Sequence, residues 1–183
     1  MTAIPNVNKD EAVAVELRLD RLARLYNSLD PSPFHEKELD AAADDYIVGS
    51  AQDLAGKPMR LVVLLSEPEL TPTRAADITA SIHNHFALRA EVERKRLHSE
   101  LRRGRSSLLI GLAFLIACLI VRELPLLPDT PVGRILREGL LIVGWVAMWG
   151  PLDIFLYGWW PIVGRRRLFD RLAGVDIEVR GLK

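Results

Sequence analysis

The residues best equipped for chemistry in this chain are few and far apart. Asp153 stands in an otherwise uncharged run, 139–157, reading GLLIVGWVAMWGPLDIFLY. An ionisable side chain in such a run is costly and by default marks a specific partner or a function. Pro151 removes the amide that would bond the Ala147 carbonyl, so a kink is expected there. In an antiparallel pair of helices, Arg102 and Arg105 would lie at a similar depth, and an inter-helix bridge from Asp153 to Arg105 or Arg102 is the leading expectation. His83 and His85 stand two positions apart. On a helix that is roughly 200° of rotation, which turns the rings to opposite sides and argues against chelation. The acids Glu36, Glu38, Asp40, Asp44 and Asp45 read as a solvated helix face, because no glycine-containing calcium loop accompanies them. Cys118 is the sole cysteine, which rules out an intramolecular disulfide and a cysteine-cluster metal site. No phosphate-binding glycine loop, zinc-protease helix or nucleophile elbow is present. No catalytic residue, metal or cofactor is therefore expected.

The elements that hold these residues announce themselves by hydropathy. Residues 106–121, SSLLIGLAFLIACLIV, carry no charge, and 139–157 carry only Asp153. Sixteen helical residues cover about 24 Å, and flanking arginines that snorkel extend this toward a hydrocarbon core of about 30 Å. Two such runs exceed what the polar remainder of a 183-residue chain can wrap. A transmembrane hairpin over 106–163 is expected, with spans at about 106–122 and 138–158.

Net charge is zero, yet residues up to 88 hold 14 acids against 8 bases, and the rest 10 against 16. The bases crowd the outer ends of the two spans: Arg89, Arg94, Lys95, Arg96, Arg102, Arg103 and Arg105 before the first, Arg165, Arg166, Arg167 and Arg171 after the second. The connection between the spans has three arginines offset by three acids. By the positive-inside rule both termini are cytoplasmic in the cell membrane. The opening residues lack an apolar core for a signal peptide, so the first span would serve as its own insertion signal. Tyr157, Trp159 and Trp160 suit the headgroup boundary as interfacial anchors. Arg102, Arg103, Arg105, Arg165, Arg166 and Arg167 suit anionic lipid. Nucleic acid is not expected, because the basic stretch lacks interleaved aromatics and abuts a membrane.

The fold expected of residues 1–88 is a cytoplasmic α+β domain, a small sheet of about three strands plus helices. Val13, Val15, Leu17 and Leu19 alternate with smaller or polar residues, a period-two strand. A helix is expected over 20–28, a second over 35–54, and a central strand covered on both faces at MRLVVLLSEP. A helix capped by Thr71 or Thr73 would then continue as a basic stalk, 89–105, into the first span. In the cytoplasmic tail, 164–183, an interfacial helix precedes VDIEVR, a strand that needs partners and returns to the N-terminal sheet. Function then reads as a non-catalytic, membrane-anchored interaction or assembly module with a protein partner in the cytosol or membrane. A homo-oligomeric pore or effector hairpin using Asp153 is the alternative. An enzyme on a lipid-linked substrate, for which Asp153 and Asp170 are the nearby acids, is the third.

Overall fold

A computed structural model describes residues 12–27, 38–54, 56–66, 71–125 and 130–182. The chain divides into two compact units: one takes residues up to Val92 together with those from Arg165 onward, the other Glu93–Gly164.

The first unit is built on three strands, β1 (Val13–Leu19), β2 (Met59–Ser66) and β3 (Asp176–Leu182). They pair in the order β1-β2-β3, all parallel, so the tail does join the sheet. Register aligns Val15, Leu61 and Ile177 in one row and Leu17, Val63 and Val179 in the next. These rows meet one core cluster with Ile47 of α1 (Ala41–Asp53), Ile78, Ile82 and Phe86 of α2 (Pro72–Glu123), and Phe169 and Leu172 of α4 (Trp160–Leu172). Burying each such large side chain contributes about 1.5–3 kcal/mol. Val62 points to the opposite face, outside that cluster, in a row with Glu16 and Glu178. Parallel pairing requires crossovers. The one from β2 to β3 contains every residue of the second unit.

Local signals explain the helix starts. The Asp40 side chain accepts from the Ala42 amide at 3.0 Å, and Thr71 accepts from Arg74 at 3.2 Å. Both are N-caps, satisfying amides that have no partner within the helix. Thr71, one of the two expected caps, therefore performs that role. Two expected boundaries differ. In place of the helix expected over 20–28, the described residues 20–27 form a single 3-10 turn, Leu22–Arg24, because Tyr26 bridges antiparallel to Leu39 and the Asp40 amide bonds the Leu25 carbonyl. That cross-chain pairing fixes the backbone in a path a helix cannot follow. For the same reason α1 begins at Ala41. The expected start at residues 35–37 lies outside the described residues.

The tail is pinned by two long-range bonds. His83 donates from Nε2 to the Val175 carbonyl at 2.8 Å, and Arg171 donates to the Ala51 carbonyl near the end of α1 at 2.9 Å. The guanidinium thus neutralises a helix C-terminus where carbonyls lack amide partners.

In the second unit α2 continues to Glu123, and α3 (Pro131–Asp153) starts from a Thr130 cap with Pro131 at its first position. A π-turn, Ile154–Gly158, links α3 to α4. It follows Pro151 within one turn of helix, where the backbone has already lost a hydrogen bond. The helices containing the two apolar runs are long and apolar enough to cross a membrane. Their contacts are made through glycine. A side chain at Gly104 would strike Ile154 and Phe155, one at Gly111 the Ala147 carbonyl and Met148, and one at Gly144 Leu115 and Cys118. Positions rise on α2 as they fall on α3, so the helices run antiparallel. Ala113 and Ala117, four positions apart on α2, are exposed.

Candidate functional site

The residues singled out at the end of the second apolar run are placed on the surface of their unit. Asp153 closes α3, and Arg102, Arg103 and Arg105 lie on α2, all four exposed. Among the described residues no ion pair joins Asp153 to Arg102 or Arg105. The reason is geometric. The α2 residue turned toward this part of the neighbouring helix is the buried Gly104, against Ile154 and Phe155. Arg105, the next residue, is rotated about 100° away by helical geometry, and Arg102 by about 200°.

Tyr157 and Trp160 are exposed, at 64% and 61%. Trp159 donates from its indole nitrogen to the Phe155 carbonyl at 2.8 Å and meets the Trp160 ring edge-on at 6.0 Å. The Phe155 carbonyl sits in the π-turn, where the regular i to i+4 ladder is interrupted, and the indole N–H supplies a donor there. In the first unit, Arg165 and Arg167 are exposed and Arg166 pairs with Asp170 at 3.5 Å, one helical turn on. Such an exposed pair contributes little by itself.

Pro151 also shapes the packing between the two helices. It leaves the Ala147 carbonyl without its i+4 amide, and that oxygen lies against Gly111, at 3.1 Å from where a Cβ would stand. Only glycine lets the backbones come this close without displacement.

One polar cluster escaped the sequence reading. Asp44 belongs to the acidic group expected to be solvated, yet it is buried. Its Oδ1 accepts from His85 Nε2 at 3.1 Å, and its Oδ2 pairs with Arg89. His85 Nδ1 in turn accepts from the Leu39 amide at 3.4 Å, a set of partners that fits the neutral Nε2–H tautomer. Arg89 also stacks over Phe169, its guanidinium carbon 4.5 Å from the ring centre. Burial pushes the Asp44 carboxyl up, but the hydrogen bonds from His85 and Arg89 and the Arg89 charge outweigh this and hold it below its ordinary range. The cluster ties α1 to α2 and to Phe169 and brings no nucleophile. His83 and His85 do face different partners, as their spacing implied. Among the described residues no group of histidine, cysteine and carboxylates is gathered as a metal site.

The signal that could have exposed Asp44 is its place in the α1 stripe. Asp44, Ile47 and Ala51 recur at helical spacing, and His85 and Arg89 flank Phe86 one turn apart. A charge in one apolar stripe facing an i, i+4 pair of donors in another marks a buried pair.

No family model, curated protein or solved structure matches the chain.

Proposed function

We propose that this chain is an integral membrane protein of two spans with both termini in the cytoplasm. In this reading it acts as a membrane-anchored interaction or assembly module, without chemistry of its own. The observation that carries the reading is the pairing of β2 with β3. These strands precede and follow the two apolar helices. A chain that left the cytoplasm once and did not return could not close this sheet. The apolar windows of those helices are only 17% and 11% buried, which suits lipid and not the interior of a water-soluble domain. The basic residues 102, 103, 105 and 165–167 support contact with anionic headgroups, and Tyr157, Trp159 and Trp160 support an interfacial belt. An acidic domain held at an anionic surface resists collapsing onto the lipid and stays available to a protein partner.

Carbonate extraction combined with cysteine labelling tests the membrane part. In a Cys118→Ala background, single cysteines at Ala12 and Leu182 are expected to react with an impermeant maleimide only in inside-out vesicles. Labelling from opposite sides, or release of the protein by carbonate, would overturn it. For the assembly part, native mass spectrometry of the chain drawn from its own membranes in mild detergent is expected to retain a second protein. Recovery of this chain alone, or accompanied only by its own copies, counts against the reading.

A second reading has its own support. Asp153 is an exposed acid in an apolar helix with no ion pair among the described residues. Several hairpins arranged in a ring would gather these acids around a water path, as a pore requires. A larger symmetric homo-oligomer in the same mass spectra would favour it.

A further inference from the structure

The two edges of the sheet are not equivalent. At the β1 edge, the Tyr46 hydroxyl of α1 donates to the Glu16 carbonyl at 3.0 Å, so a side chain already occupies that backbone. Along the outer edge of β3 no strand pairs among the described residues. Natural proteins usually blunt an open edge with charged side chains, lysine above all, with proline or with a bulge. β3 reads DIEVRGL and contains neither lysine nor proline.

It carries instead a charge pattern that complements itself. Glu178 and Arg180 flank Val179, alternate with it, and remain about half exposed, at 44% and 53% of their side chains. Laid antiparallel against a second β3 with Val179 opposite Val179, the strand sets Glu178 opposite Arg180 of the second copy, twice. Ile177 then faces Gly181, whose missing side chain leaves room for it. Centring the pair on Glu178 or on Arg180 instead would place like charges face to face. Opposite-charge cross-strand pairs stabilise and like pairs destabilise, so of these three registers the charges favour the one centred on Val179. β1 has the same order of types in Glu16, Leu17 and Arg18, but its edge is the one that Tyr46 occupies.

We propose that two copies of this chain associate through their β3 edges, antiparallel and centred on Val179, joining two three-stranded sheets into one. Within one copy Arg180 closes on Glu178 at 2.7 and 2.9 Å. In the pair each carboxylate lies between its own Arg180 and that of the second copy, and the main-chain bonds of the edge are completed. This surface belongs to the sheet alone, so the inference does not depend on the apolar helices crossing a membrane.

Light scattering of the full chain in detergent, corrected for the micelle, reads the result. Wild type is expected to be a dimer. Glu178→Arg and Arg180→Glu, each alone, set like charges opposite one another twice and are expected to weaken dimerisation about tenfold or more. Mixing the two variants restores opposite signs at both positions and is expected to restore the dimer. In a Cys118→Ala background, Val179→Cys is expected to form a disulfide with its own copy, while Glu178→Cys and Arg180→Cys crosslink efficiently only with each other. A monomeric wild type, reversals that leave the dimer intact, a mixture that stays monomeric, or a Val179→Cys chain that fails to crosslink would each overturn the proposal.

Discussion

The two units of this protein place their apolar residues in opposite ways. In the sheet unit the large apolar side chains Phe86, Ile82 and Leu172 are fully buried. In the apolar unit Ile110 and Trp149 are 71% and 76% exposed, while Gly104, Gly111 and Gly144 lie inside. The first is held by removing hydrocarbon from water. The second has no such drive if lipid surrounds it, and must be held by close backbone approach. The same substitution should therefore cost very different amounts in the two places.

The largest effect is expected from removing β3. Truncation after Gly174 strips the edge from β2 and exposes Leu61 and Val63, which are fully buried. Limited proteolysis should show the residues before Val92 losing protection. Unchanged protection would mean that the sheet unit does not need its third strand. Next comes Phe86→Ala, which empties a site packed against Phe169 at 6.3 Å. It should cost about 3–5 kcal/mol, read as a fall in the thermal midpoint of the sheet unit.

The Asp44 cluster tests the polar side of the same core. Because its carboxyl is held below the ordinary range, the folded state binds that proton less readily than the unfolded chain. Its stabilisation is thus complete above the unfolded value, about pH 4, and is lost as pH falls through the lower folded value. Asp44→Ala should cost about 1–3 kcal/mol at neutral pH. Below pH 4 the difference from wild type should shrink. An undiminished difference at low pH would show that the carboxylate's charge is not what stabilises the unit.

How much of this was legible depends on range. β1, β2 and β3 follow from alternation and from β-branched runs, which are local. The two long apolar helices follow from uncharged stretches, also local. Strand direction was not legible, since nothing within VDIEVR says whether its neighbour runs parallel. The turn at Leu22–Arg24 is not legible locally, because Tyr26 and Leu39, thirteen residues apart, decide the backbone there against the helix expected over 20–28. Asp44 was misread because its partners lie 41 and 45 residues away. The bridge from Asp153 to Arg105 was drawn from depth alone. Depth did not include the rotation that sets Gly104, and not its neighbours, against the facing helix.

In the apolar unit the costs should run the other way. Gly111→Val, a gain of three carbons, would drive a Cβ to 3.1 Å from the Ala147 carbonyl oxygen, a backbone atom held by its helix. A loss of about 1–3 kcal/mol is expected, seen as a lower melting temperature in detergent.

The smallest effect should come from the largest side chain. Trp149→Ala removes a whole indole, and in the sheet unit a deletion of that size would cost several kcal/mol. At 76% exposed, Trp149 touches few neighbours within its own unit, so its removal opens no internal cavity. A change within about 0.5 kcal/mol is expected, read as an unmoved thermal midpoint in detergent, where the micelle supplies the same apolar surroundings with or without the ring. A fall approaching that of Phe86→Ala would mean that a protein surface, and not lipid, normally covers this face. The contrast between the two units would then reduce to an interface not yet occupied.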